Sequence, residues 1–384
     1  MENGSPANEY SAELVEKLRS HVAYLASPEL KGRKPGTPGN RTAAEYIVAQ
    51  FRDIRLDPLP SFGSYSQHIS PTLGDNLIGV RHPSKRSDRI PRWLLLGAHF
   101  DHLGESDGKI YFGADDNASG VAILLETART LRPLTHFSFG FIAFNAEEPP
   151  HFLEGSTFFV NHLPTEIGSP SAIQAVMVMD LMGGVFWAPL HDVVFALGTE
   201  KCEKLYCRLK QTKVEGRGLS VLQVGIHLIE EVPLIGPMPS SDYHAFRNAG
   251  VPYVFLSSGR TPHYHRTTDQ PNTLNYKRMA QTVIWLQNII YAMDEDVEPY
   301  TFEADRIEFA DEVETIRSLV TLAAHQATQI PGTSSLTRFK LQQDAEWLNQ
   351  VSPSAATPQD IRRLEKISIR LQCLLADFPM AFLI

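Results

Sequence analysis

The sequence predicts an α/β protein with a mixed, mostly parallel central sheet, helices on both faces and a helical extension at the C-terminus. Three observations lead there. From Asn76 to Met293, short apolar runs of β type alternate with segments of helical period, the rhythm of a sheet covered by helices on both sides. The runs are nearly continuous in hydrophobicity, as in Leu94-Leu95-Leu96-Gly97-Ala98 and Ala175-Val176-Met177-Val178-Met179, as burial on both faces requires. Beyond about residue 300 only helical periodicity remains.

Taken in order, the first sixty residues contain two helices, Ser11 to Ala26 and Asn40 to Arg55, separated by the Pro/Gly-rich stretch Lys31 to Gly39. Leu14, Leu18, Val22 and Leu25 give the first helix one apolar face. Then follow the strand Trp93 to His99, the helix Ala118 to Arg132, the strand His136 to Asn145, a helical segment Ser156 to His162 and the strand Ala175 to Leu181. Further on come strands near Val193 to Leu197 and Leu219 to Val224 around a helix Glu200 to Lys210. A helix Ser241 to Ala249, stopped by Gly250, leads into the strand Val251 to Leu256, and the helix Tyr276 to Met293 closes the region. The extension reads as helices Glu312 to Thr328, Leu336 to Val351 and Pro358 to Ala376, the last opened by Thr357 as N-cap and Pro358 in the first turn. The expected division is a main unit, residues 1–300, with residues 1–60 as N-terminal helices packed on it, and an extension, residues 301–384. No internal repeat or low-complexity tract is present.

Composition narrows function. The 384 residues are 43% hydrophobic and 21% charged, as in ordinary globular proteins. A net charge of -9 argues against a nucleic-acid partner, which needs a clustered basic surface. The longest basic feature, Arg81 to Arg92, is broken by prolines and Asp88 and reads as a solvated loop. No apolar run is long enough to span a bilayer, and the N-terminal ten residues lack a secretory pattern, so the expectation is a cytoplasmic protein without a membrane partner. Three cysteines, Cys202, Cys207 and Cys373, offer neither a disulfide framework nor a Cys-rich zinc site; the first two are expected on a surface helix.

In open α/β sheets, ligands bind beyond the carboxyl ends of the strands. Here those ends carry unusual polar sets: His99-Phe100-Asp101, then Asp115-Asp116-Asn117 at the mouth of a helix, Glu147-Glu148, Asp180, and a loop with His263, Tyr264 and His265. Taken singly, each has a plain explanation. A His-x-Asp is more often a hydrogen-bonded pair, tandem acids usually face solvent, and Asp115-Asp116-Asn117 suits a helix cap. Their conjunction points elsewhere. A carboxylate ending an apolar strand, as Asp180 does, needs a cation or a donor. His99, Asp116, Glu148, Asp180 and His265 form a nitrogen/oxygen set suited to zinc, and one bridging carboxylate would hold two metals roughly 3.5–4 Å apart.

These motifs, together with Ala114, Ala118-Ser119-Gly120, Ser241-Asp242 and the N-terminal segment Glu29 to Asn40, resemble the signature of the M28 metallopeptidases, in family order across roughly residues 14 to 295. The resemblance implies a zinc-exopeptidase-like catalytic domain and an aminopeptidase acting on peptides with a free N-terminus. It implies two zinc ions: His99 and Asp180 on one, Glu148 and His265 on the other, Asp116 between them, and Glu147 as general base. Asp101 is placed to accept a hydrogen bond from the His99 ring and fix its tautomer. Asp242 is a supporting residue or the N-cap of its helix. His102 and His263 are expected to be surface imidazoles, and no substrate-binding residue is assigned. Cobalt or manganese would also suit such a site.

Two departures from the family pattern stand out. Pro149-Pro150-His151-Phe152-Leu153-Glu154 replaces a short Gly/Leu-rich turn, and Arg266 follows His265 where Thr is common. No long insertion separates Phe62 from Trp93, which implies a compact, single-lobed enzyme. The alternative is an acyltransferase similar to the glutaminyl cyclases, with one zinc. The apolar faces of the extension, including the terminal Phe378 to Ile384, need a partner surface: the catalytic domain, the rim of the site or a second copy in a homo-oligomer.

Overall fold

The computed structural model describes residues 11–84, 92–212, 218–232, 236–238, 240–296, 298–327, 334–352, 354 and 356–375. The centre of the basic stretch Arg81 to Arg92 and the terminal run Phe378 to Ile384 lie outside these residues.

Among the described residues twelve strands are formed: β1 (Ser66–Ser70), β2 (Gly74–Arg81), β3 (Trp93–His99), β4 (Gly104–Ser106), β5 (Lys109–Tyr111), β6 (Ser138–Phe144), β7 (Ile173–Met179), β8 (Val193–Leu197), β9 (Ser220–Val224), β10 (Glu231–Val232), β11 (Gly236–Pro237) and β12 (Tyr253–Ser257). The helices are α1 (Ala12–Leu25), α2 (Pro38–Asp53), α3 (Gly120–Thr130), α4 (Glu154–Asn161), α5 (Glu203–Gln211), α6 (His227–Glu230), α7 (Tyr243–Asn248), α8 (Tyr276–Asp294), α9 (Phe309–His325), α10 (Ser335–Gln350) and α11 (Pro358–Leu375). Eight strands make one mixed sheet in the order β1-β2-β6-β3-β7-β12-β8-β9. At its centre β6, β3, β7 and β12 run parallel, so their carboxyl ends open on one edge.

Side chains alternate across this sheet with the period of a strand. Leu94, Leu96 and Ala98 of β3 face the core formed with α1, α2, α3 and α8, while Trp93 and Leu95 face the opposite core. That second core also takes Phe246 of α7 and Val313, Ile316 and Val320 of α9, with Leu348 and Leu364 from α10 and α11. The apolar residues of α9 and α11 and part of those of α10 are thus buried against the sheet and against one another, while Leu336 and Phe339 of α10 stay exposed.

Several boundaries differ from the sequence reading. The polar strand β1 and the hairpin β4-β5 were not anticipated, and α3 begins at Gly120, after a distorted turn Ala114–Ser119 in which the Asp116-Asn117 peptide is cis. Cys202 is buried at the start of α5, not on a surface helix; Cys207 is exposed. Thr357 does cap α11: its hydroxyl accepts from the Asp360 N–H at 3.2 Å while Asp360 accepts from the Thr357 N–H at 2.9 Å. Among the described residues no helix is long and apolar enough to cross a membrane.

Candidate metal centre

Four neighbouring strand ends supply the site. His99 is the last residue of β3, Glu147 and Glu148 follow β6, Asp180 follows β7, and the loop after β12 brings His265. Asp116 arrives from the turn before α3, where the Asp269 carboxylate accepts the N–H groups of Asp115 at 2.8 Å and Asp116 at 3.1 Å. Asp115 itself faces away, accepting from the N–H groups of Gly183 and Gly184 at 2.8 Å each. Asp115 and Asp116 therefore do not cap α3. Asn117 does, accepting the Gly120 N–H at 3.0 Å.

Asp116 lies in the middle. His99 Nε2 is 3.4 Å from Asp116 Oδ1 and 3.4 Å from Asp180 Oδ1. On the other side His265 Nε2 is 3.2 Å from Asp116 Oδ2 and 3.0 Å from Glu148 Oε2. Zinc bonds of about 2.0–2.2 Å in a tetrahedron separate neighbouring ligand atoms by roughly 3.3–3.6 Å. The His99 pairs match that edge and the His265 pairs are slightly tighter. His265 Nε2 is buried and meets neither carboxylate in hydrogen-bonding geometry, the arrangement of a nitrogen aimed between them. The donors fit a metal on each side of Asp116. Among the described residues, His99, Asp116 and Asp180 form one potential metal-binding group, and His102, Asp116 and Glu148 another.

His102 is the main correction. It is fully buried, not a surface imidazole, and its Nδ1 lies 2.8 Å from Glu148 Oε1. This is ordinary hydrogen-bond length, and Asp116 Oδ2 is farther, at 3.9 Å. The ring therefore orients Glu148, leaving Oε2 to face His265. Asp269 was also missed. Nothing in His-Leu-Gly or Thr-Asp-Gln marks either residue, since their partners lie 46 and more than 150 positions away. His263 stays at the surface, bonded to Thr268.

Asp101 acts differently from expectation. Its carboxylate accepts the N–H groups of Glu147 at 3.1 Å and Glu148 at 3.2 Å, and stands 3.7 Å from His99 Nδ1. The closer acceptor for that ring nitrogen is the Asp101 carbonyl, at 3.3 Å. Asp101 thus grips the turn that carries both glutamates. Asp242 does not cap α7 through its side chain; it is fully buried with both carboxylate oxygens unpartnered.

The site is heavily acidic. Burial pushes the Glu147 carboxyl well above its ordinary range, and Asp180, Asp242 and Glu148 add to this against His99. Burial also lifts Asp242 to about 7. For His99, burial opposes the charged form, but Glu147, Asp180 and Asp116 outweigh it and raise its pKa. Burial resists ionisation of Asp116 too, yet contacts with His265 and His99 hold it well below the usual range. So dense a group of buried carboxylates calls for a bound cation.

A mostly parallel sheet that gathers these imidazoles and carboxylates at the ends of four adjacent strands defines a metallopeptidase scaffold. Peptidase family M28 matches residues 76–289, more than half of the chain, which belongs to that family. It is similar to YfbL of Escherichia coli (26% identity over 218 residues, 52% of this chain and 66% of YfbL). It is likewise similar to the aminopeptidase YwaD of Bacillus subtilis (25% over 291 residues, 72% of this chain and 56% of YwaD). The chain thus spans less than two thirds of either relative. Bovine glutaminyl-peptide cyclotransferase is 25% identical over 293 residues, 67% of this chain and 76% of the relative. The fold is shared with BSAP, a zinc aminopeptidase from Bacillus subtilis (TM-score 0.56, 15% identity, 76% of this chain and 98% of BSAP). Porphyromonas gingivalis glutaminyl cyclase has the same fold (TM-score 0.54, 18% identity, 76% of this chain and 100% of the cyclase).

Proposed function

We propose that this chain is a zinc-dependent aminopeptidase that removes the N-terminal residue from peptides. The observation that carries the reading is the pair of donor sets sharing Asp116, each with ligand atoms 3.0–3.4 Å apart. His99 and Asp180 would hold one ion, Glu148 and His265 the other, with Asp116 between. Bound zinc supplies Lewis acidity toward the substrate carbonyl and lowers the pKa of water.

The chain's own residues do the rest. Glu147, whose backbone N–H is held by Asp101 and whose carboxyl burial makes more basic than an ordinary glutamate, takes a proton from the attacking water as oxygen bonds to the amide carbon. It then delivers that proton to the amide nitrogen as the C–N bond breaks, releasing an amino acid and the amine of the shortened peptide. His102 keeps Glu148 turned toward His265.

The competing reading is an acyltransferase of the kind named among the relatives, a glutaminyl-peptide cyclotransferase. Metal analysis and two assays separate them. The purified protein should bind two zinc ions per chain and hydrolyse aminoacyl anilides. One zinc per chain, with cyclisation of N-terminal glutamine and no hydrolysis, would establish the cyclase instead.

A further inference from the structure

The turn between α1 and α2, Lys31 to Thr37, has no part in the chemistry above, yet its backbone is unusual. Lys31, Gly32 and Arg33 have φ of 46°, 71° and 49° in succession. Left-handed conformations at non-glycine residues persist only where surrounding structure over-determines them, and they collect at functional sites. At Gly32 a Cβ would come within 2.3 Å of the Tyr111 carbonyl oxygen and 2.6 Å of that of Gly104, so the turn is pressed against the β4-β5 hairpin.

This path drives Arg33 fully into the interior. Its Nε donates to the Phe100 carbonyl at 2.8 Å, Nη1 to the Phe112 carbonyl at 2.7 Å and to that of Leu25, and Nη2 to the Gly113 carbonyl at 2.9 Å. Phe100 lies between His99 and Asp101, and Gly113 opens the turn that carries Asp116. One guanidinium thus joins the two loops that deliver these donors. The turn reaches a third loop as well. The Arg33 carbonyl accepts from Asn40 Nδ2 at 3.0 Å, and the Asn40 and Asn145 amides exchange hydrogen bonds of 3.0 and 3.1 Å, two residues before Glu147. Burial lowers the Arg33 pKa to about 10, partly offset by Asp269, Asp101, Asp116 and Glu148, so it remains charged near neutral pH.

We propose that Arg33 is a positioning residue of the metal centre: without touching a ligand side chain, it fixes the loop of His99 against the loop of Asp116 and so sets zinc affinity. A lysine could not replace it, because a point charge cannot reach carbonyls of both loops as the planar fork does. The proposal rests on the zinc reading above.

The test compares zinc binding by the full chain and by Arg33→Lys and Arg33→Met, using competition with a chromophoric chelator and near-UV circular dichroism to confirm folding. Arg129→Lys, which alters a partly exposed arginine paired with Glu126 and Asp53 away from the site, is the control. The Arg33 variants should bind zinc about 10–100-fold more weakly, as loss of a partner supporting metal ligands typically does, and the control should match the parent. A merely structural strut would lower the unfolding temperature and leave the zinc affinity of the folded molecules unchanged. Folded Arg33→Lys with parental affinity overturns the proposal, and this variant decides alone if Arg33→Met does not fold. A parent that binds no zinc overturns the functional reading and this inference together.

Discussion

Glu147 and Glu148 are adjacent in sequence, but Asp101 takes both of their N–H groups and the turn sends their side chains to different neighbours. Glu148 meets His102 with one oxygen and His265 with the other, whereas Glu147 Oε2 is 3.9 Å from His99 and keeps a little exposure toward solvent. Glu147→Gln preserves shape and removes the proposed proton acceptor. Its kcat should fall about 10²–10⁴-fold with zinc content unchanged, measured by steady-state kinetics beside metal analysis. Near-parental turnover would remove Glu147 from the base role. At this scale the convergence of His99, Asp116, Glu148, Asp180 and His265 could be read because these residues follow apolar strands or sit in the loops beyond them. His102, Asp269 and Arg33 could not, because their roles lie in partners far along the chain and their own neighbours are unremarkable.

Among the elements, helices and buried strands were recognisable by period, and β3 and β8 have the expected bounds. β1, Ser-Gln-His-Ile-Ser, carries no alternating apolar face because it lies at the sheet edge, and so gave no signal. The attachment of the extension was equally hidden. His227 of α6 stands between Glu312 of α9, at 3.0 Å, and Glu365 of α11, at 2.8 Å. Burial opposes its charge, but the two carboxylates outweigh it and raise its pKa to about 9 from 6.5. A group raised on folding stabilises fully below its unfolded pKa, here about 6.5, and loses that contribution as pH rises through the folded value, here about 9. Between pH 7 and 10 the parent should therefore lose about 2 kcal/mol more than His227→Gln, followed by denaturant unfolding. A gap between the two proteins that stays constant across this range would rule out the charged clamp.

At the scale of the molecule, two cores sandwich one sheet, and the parallel order β6-β3-β7-β12 brings the candidate metal donors to one edge. The sheet class and the polar edge that carries the candidate site were foreseeable, since strands buried on both faces must be continuously apolar and polar residues at their ends then stand out. Where the extension packs was not, because an amphipathic face specifies burial without specifying a partner; the second core holds it. The dizinc reading requires Asp116 to stand between two metal ions. Anomalous diffraction at the zinc edge from crystals of zinc-loaded protein tests it directly. Two peaks roughly 3.5–4 Å apart are expected, one beside His99 and Asp180, the other beside Glu148 and His265, with Asp116 in contact with both. A single peak at full zinc loading, or two peaks that do not share Asp116, would contradict it.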